Sequence, residues 1–356
     1  MSSHAVRDRW CWRRGIRTLL TAAVAVAAAN VRPALGQVTG DDPFSLRLPA
    51  ALGRFSSYGD VAAVGNASAA SKWPSSVNPA AADWLDIPGK RPVALSPQYS
   101  NIAFEEGTRI QVATEAATVS LGKWGTIQPA FAQAWSNRAT TRQGLLFDFD
   151  LRRYQMNWGK RINEDAAVGA GFQFSTSEVG YDLGSMTISK SRSDAYGFTL
   201  GTLNRVKGPL LAGAVMQYSF SRDRTKMFAI PAFGVPEEHL RDTTHEFTFR
   251  PGLSYEYLKD SMVLLDYQFA SYFNHEGSVW ANRVYGGVDH RIFDWLFVRG
   301  GIAMDTGGHA ALTCGVGIYP CKAFTIDLGY QENMFPEIRE EFGRSRTLTV
   351  SLGFSF

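Results

Sequence analysis

Charged side chains in this sequence recur at even spacing inside runs that are otherwise apolar. Glu246, Arg250 and Glu256 interleave with Phe247, Phe249, Leu253, Tyr255 and Tyr257, and Asp266 and Gln268 with Val263, Leu265, Tyr267 and Phe269. Arg299 and Asp305 interleave with Leu296, Val298, Ile302 and Met304, and Asp327 with Phe324, Ile326, Leu328 and Tyr330. An even spacing sends the charges to one face of a strand and the apolar groups to the other. Carboxylates and guanidiniums gathered on one face can form a cross-strand network that satisfies one another's hydrogen bonds. Asp148, Asp150, Glu246, Arg250, Asp266, Arg299 and Asp327 are the expected members of such a network.

Signals for catalysis are weak. Of six histidines, His4 lies near the start and His239, His245, His275, His290 and His309 are spread without metal-ligand spacing. No Gly-x-Ser-x-Gly elbow, His-Glu-x-x-His pair or phosphate-binding glycine loop is present. The expectation is a protein that is not an enzyme and uses neither metal nor cofactor. The formal charge of +3 does not point to nucleic acid. Residues 1–36 hold six of the 36 basic and one of the 33 acidic residues, leaving 30 minus 32, or −2, on the remainder. No basic stripe interleaved with aromatics is visible along the chain. Cys314 and Cys321 remain outside those first residues, and their odd separation places them on opposite faces of a regular hairpin, which favours free thiols over a disulfide.

The elements that must position the charges are strands. In the last twelve residues Leu348, Val350, Leu352, Phe354 and Phe356 alternate with Thr347, Thr349, Ser351, Gly353 and Ser355. One face is apolar and the other small and polar, as a barrel strand between lipid and lumen requires. An amphipathic final strand ending on Phe356 resembles the C-terminal signature of bacterial outer-membrane barrels, which implies the barrel assembly machinery as a partner. At the other end, Arg7, Arg9, Arg13, Arg14 and Arg17 precede the apolar run 19–29, and Ala34-Leu35-Gly36 offers small residues for cleavage. Residues 1–36 therefore read as a secretory signal cleaved near Gly36. No later run approaches the roughly 18 apolar residues of a membrane-spanning helix.

From residue 92 to 356 the sequence predicts fourteen strands: 92–104, 108–121, 124–136, 144–160, 165–178, 193–206, 209–221, 243–258, 261–273, 278–292, 294–304, 310–319, 322–331 and 345–356. Alternate links are all short, whereas 179–192, 222–242 and 332–344 fall in the other set. Short turns at one end and long loops at the other are the asymmetry of outer-membrane barrels. Arg152-Arg153 interrupts its strand's alternation and suggests a bulge. The expected fold is all-β, a 14-stranded antiparallel transmembrane barrel in the bacterial outer membrane, with membrane lipids as its surroundings. Fourteen strands enclose more space than their own side chains fill.

Residues 37–91 are rich in Ala, Ser and Pro and lack sustained alternation. They contain Gly65-Asn66-Ala67-Ser68-Ala69-Ala70 and then Ser76-Val77-Asn78-Pro79-Ala80-Ala81. A small-residue stretch followed by Asn78-Pro79-Ala80, just ahead of the first strand, resembles the N-terminal hatch of the long-chain fatty acid transporter superfamily. That superfamily includes aromatic-hydrocarbon channels and the barrel of type IX secretion. The resemblance implies that 37–91 folds as a plug inside 92–356 and that the protein takes up a hydrophobic small molecule passively. It also implies that apolar outer loops catch the ligand. Met227, Phe228, Ile230, Phe233 and Val235 in one loop and Met334, Phe335 and Ile338 in another have that character. The alternative within the same superfamily is a secretion or assembly barrel whose outer loops hold a protein partner.

Overall fold

The computed structural model describes residues 42–84, 93–136, 139–230, 236–321 and 323–356. The expected signal peptide, residues 37–41 and 85–91 of the expected hatch, and Phe233 and Val235 lie outside the described residues.

Fourteen long strands follow one another: β1 (Val93–Phe104), β2 (Arg109–Ser120), β3 (Thr126–Ser136), β4 (Leu146–Asn163), β5 (Ala166–Leu183), β6 (Met186–Lys207) and β7 (Leu210–Met227), then β8 (Glu238–Leu258), β9 (Ser261–Asn274), β10 (Gly277–Phe293), β11 (Leu296–Asp305), β12 (Ala310–Cys321), β13 (Phe324–Glu332) and β14 (Ser345–Ser355). Each pairs antiparallel with the next in sequence, and β14 returns to pair with β1. A two-residue piece, Ala139–Thr140, adds to β4 beside the β3 pairing. The sheet is therefore closed, so no strand leaves an edge of unpaired peptide groups.

Alternation decides which way each face points. Leu265 is 54% exposed while its neighbour Asp266 is 1% exposed. Val263, Leu253, Tyr255, Val298, Met304, Leu328 and Leu348 are likewise exposed, and Arg250, Arg299, Asp327, Thr347 and Thr349 are buried. The barrel thus has a greasy exterior and a polar interior. Cys314 and Cys321 are free and exposed.

Three sequence expectations change. The link expected over 179–192 shrinks to Gly184-Ser185, with Gly184 at φ 63°. The one over 222–242 gives up its ends to β7 and β8. Both faces of these extensions carry Ser, Thr and charged residues, so the apolar alternation that marks a strand fades although backbone pairing continues. Arg152-Arg153 forms no bulge: Arg152 pairs with Thr176 and Arg153 with Ser175 in unbroken register. Arg152 turns outward beside Asp150, and Arg153 turns in. The longer connections, 228–237 and 333–344, share one end of the barrel, and the links 164–165, 208–209 and 259–260 share the other.

Ahead of β1, residues 42–84 form two helices, α1 (Phe44–Leu52) and α2 (Gly59–Ala63), and a 3-10 turn over Pro79–Asp83. Helix α1 touches β9 and β10, α2 touches β11 to β14, and the 3-10 turn touches β3 to β6. Residues 66–70 reach β7, β8 and β9 between them. Nearly all of residues 59–72 are buried.

Candidate functional site

Asn78, Pro79 and Ala80 lie against the inward faces of three neighbouring strands. Asn78 precedes the 3-10 turn, and its side-chain oxygen accepts a hydrogen bond from Ala80 N–H at 3.1 Å. Its amide donates to the carbonyls of Ala69 at 2.7 Å and of Thr202 on β6 at 2.8 Å. Pro79 occupies the first position of the turn, where a missing N–H leaves nothing unsatisfied. The strands make room for this segment with glycine. A Cβ on Gly201 would lie 2.1 Å from Asn78 Oδ1, and one on Gly169 would lie 2.4 Å from Ala80 N. The pattern continues around the wall. Gly213 faces the Ala69 carbonyl, Gly287 faces Val64, Gly301 the Gly65 nitrogen, Gly315 Ala63 and Gly329 the Gly59 carbonyl, each too close for a side chain.

Many of these glycines are cross-strand partners. Gly159 pairs with Gly169 and Gly169 with Gly201; Gly213 pairs with Gly252, Gly287 with Gly301 and Gly315 with Gly329. The sequence reading missed this belt. Its signal was there, as glycines recurring at the inward phase of strand after strand.

Four members of the expected polar network meet as two pairs, one holding residues 66–69 and the other joining strands of the wall. Asp266 accepts from the backbone N–H groups of Ser68 and Ala69 at 2.7 and 2.8 Å and from Arg250 Nε at 3.0 Å. Arg250 also donates to the Asn66 carbonyl and lies 4.3 Å above the Tyr285 ring. Arg299 bridges Asp289 at 3.1 Å and Asp327 at 2.6 Å, and Tyr319 Oη donates to Asp327 at 3.0 Å. Glu246 faces inward and accepts from Ser219 Oγ at 3.1 Å. Asp148 and Asp150 do not join. They occupy the outward phase of β4, where Asp148 is exposed and Asp150 meets Gln133 and Arg152. The inward phase belongs to Phe147, Phe149 and Leu151, which are buried and bring β4 into an apolar cluster.

That cluster fills the interior toward the end with the longer connections. Met334, Phe335, Ile338 and Phe342 from the 333–344 connection are buried in this cluster together with Phe104, Phe147 and Phe149. The Phe342 ring is 4.9 Å from Phe147 and 5.4 Å from Phe104. Met334 and Phe335 therefore line the interior instead of forming an exposed catching surface. Met227 is paired within the β7 ladder to Ser189 and Glu238, and Phe228 and Ile230 are half-exposed, with Lys226 Nζ 4.8 Å from the Phe228 ring. These three take no part in the cluster.

Buried ion pairs fasten this end, and none was foreseen. Glu337 receives Arg54 at 2.6 Å and Arg283 at 2.7 Å, and Arg54 also reaches Asp305 at 2.7 Å. Arg283 further donates to the Ala50 carbonyl of α1 at 2.8 Å. One carboxylate thus joins the last long connection, residues 42–84 and the wall. The wall itself is irregular on the opposite flank. The β2–β3 ladder lacks pairing between Ala116–Ala130 and Val119–Ile127, where Pro129 has no N–H to give. A groove of about 530 Å³ opens there between Leu95, Glu115, Phe131, Tyr154, Met156 and Phe172.

These features define a closed, glycine-belted barrel whose interior holds both apolar clusters and buried ion pairs. Solved structures share that fold. The Ralstonia pickettii toluene transporter TbuX superimposes with a TM-score of 0.56 at 12% identity, covering 85% of this chain and 98% of the transporter. The CymD monoaromatic hydrocarbon channel gives 0.53 at 11% identity, covering 88% and 99%. A Pseudomonas aeruginosa FadL homologue gives 0.52 at 12% identity, covering 83% and 98%. No family model matches the sequence, and no curated protein matches it either.

Proposed function

We propose that this chain is a transmembrane barrel of the bacterial outer membrane that takes up a hydrophobic small molecule passively, with residues 42–84 as its plug. The carrying observation is the joint arrangement of the interior. An apolar cluster around Phe104, Phe147, Phe335 and Phe342 lies at the end with the longer connections, beyond a segment seated on glycines, and would offer an apolar solute a surface to pack on inside the closed barrel. The greasy exterior supports immersion in lipid, because a protein with its apolar face in water would aggregate. Two of the structures similar in fold are a toluene transporter and a monoaromatic hydrocarbon channel. Within this reading Asn78, Pro79 and Ala80 form the hatch contact. Arg250 and Asp266 tie plug to wall, Glu246, Arg299 and Asp327 brace the wall behind it, and Phe356 presents the barrel to its assembly machinery.

The test is a binding titration of the detergent-folded chain with a fluorescent fatty acid and with toluene as competitor. It is run beside an Asn78→Ala, Pro79→Ala variant. Saturable, displaceable binding supports uptake. A folded sample that binds neither and copurifies with a protein at its outer loops would replace uptake with the secretion or assembly role.

A further inference from the structure

On the outer surface, strands β6, β7 and β8 carry a patch of positive charge that no interior contact needs. Lys190 and Arg192 on β6, Arg222, Arg224 and Lys226 on β7, and Arg241 on β8 all occupy the outward phase. Register sets Lys190 opposite Lys226, Arg192 opposite Arg224 and Arg224 opposite Arg241. Like charges directly opposed across a strand pair are destabilising. Local carboxylates offset only part of this: Glu178 and Asp194 flank Arg192 at 3.5 and 3.6 Å, and Glu237 meets Lys226 at 3.0 Å. Among the described residues Arg224 and Arg241 make no ion pair, and Arg222 stands opposite Asp194, which already flanks Arg192.

The level of the patch on the wall says what anion it fits. One step below it runs a row of outward rings, Phe131, Tyr154, Phe174, Tyr196 and Phe220, with successive centroids 5.0, 6.4, 5.1 and 5.5 Å apart. Below the rings the exposed residues are apolar: Phe172, Phe198, Leu200 and Met216. Apolar, then aromatic, then cationic is the order in which a wall meets acyl chains, interface and headgroups. From Arg222 to Lys226 the patch climbs four residues, roughly 13 Å, taller than one layer of phospholipid phosphates. Three strands give it a width of roughly 10 Å.

We propose that this patch binds a phosphorylated glycolipid of the outer leaflet, with the arginines holding phosphate monoesters on its sugar headgroup and the rings and apolar residues below receiving its acyl chains. Guanidinium forks suit phosphate oxygens in this geometry. The inference rests on the outer-membrane reading above.

The test reconstitutes the full chain without its signal peptide into phosphatidylcholine nanodiscs. These are doped with lipopolysaccharide carrying its lipid A phosphates, with the same glycolipid dephosphorylated, or with phosphatidylglycerol. Retention of glycolipid through a detergent wash is then measured. The wild-type chain should retain phosphorylated glycolipid and release the other two. The triple variant Arg192→Ser, Arg224→Ser, Arg241→Ser should weaken retention at least about tenfold, given roughly fivefold per basic group at an anionic surface. Equal retention of dephosphorylated glycolipid or of phosphatidylglycerol, or unchanged retention in a folded triple variant, would overturn the proposal. The comparison of lipids needs only the wild-type chain, so misfolding of the variant leaves the test intact. Insertion into undoped nanodiscs tests the membrane reading separately.

Discussion

Gly201 and Asn78 stand so close that a β-carbon on the first would overlap the side-chain oxygen of the second, at 2.1 Å. The same asparagine amide donates to the carbonyls of Ala69 and Thr202, joining the 3-10 turn to both its own segment and β6. Gly201→Ala must therefore displace Asn78 and break these bonds, each worth about 1 kcal/mol. Under the proposed function, in which residues 42–84 plug the barrel, the expected result is a segment loosened at this corner. It should be read as raised ion conductance in planar bilayers, with heat-modifiable gel migration unchanged. Gly300→Ala is the control, since its β-carbon would meet nothing nearer than the Thr313 carbonyl at 3.9 Å. Equal conductance in the two variants would count against the glycine belt as a seat.

The barrel was legible because each strand is amphipathic with a period of two, and Leu265 beside Asp266 shows both faces in two letters. What the alternation could not show is what faces what across the interior. Glu337 carries no strand signal, lies in a connection, and finds Arg54 and Arg283 far away in sequence. Polarity does not mark the inward face at Asp148 and Asp150, because near the upper end these carboxylates occupy the outward face while Phe147 and Phe149 turn inward. The cationic patch was hidden for a related reason. Its members come from three strands and form a cluster only once the register is known.

Glu337 offers a direct test of the upper fastening. Its carboxylate is nearly fully buried and shared by two buried guanidiniums. Removing one partner of a buried ion pair leaves the other charge uncompensated and costs about 3–5 kcal/mol. Glu337→Ala should free the 333–344 connection, measurable as faster proteolysis there and a lower unfolding temperature in detergent. Glu340→Ala should do neither, because Glu340 is largely exposed and meets Arg47 only at 3.5 Å.

Phe342 is fully buried among Phe104, Phe147 and Phe335. Truncation of such a ring leaves a cavity and costs about 3–5 kcal/mol. If the cluster receives an apolar ligand, Phe342→Ala should also change toluene affinity while leaving the Asn78 contacts unaltered. Competition against the fluorescent fatty acid reads the affinity. An unchanged affinity in a folded variant would mean that the cluster is packing alone.

His275 supplies a pH dependence at the tip of the β9–β10 hairpin. Its Nδ1 lies 2.7 Å from an Asp242 carboxylate oxygen, and the hydrogen bond to that carboxylate raises the imidazole above its ordinary 6.5. A group whose folded pKa is raised contributes stability that is complete below its unfolded value and disappears as pH rises through the folded one. The ion pair should therefore hold the tip to β8 in mildly acidic solution and release it toward alkaline pH. Proton NMR of labelled histidines should give His275 a midpoint above that in Asp242→Asn. Hydrogen exchange at residues 274–277 should differ between wild type and variant at pH 5.5 and converge at pH 9. A midpoint that Asp242→Asn leaves unmoved would assign the shift to the neighbouring Glu276, the weaker of the two carboxylate influences on this imidazole.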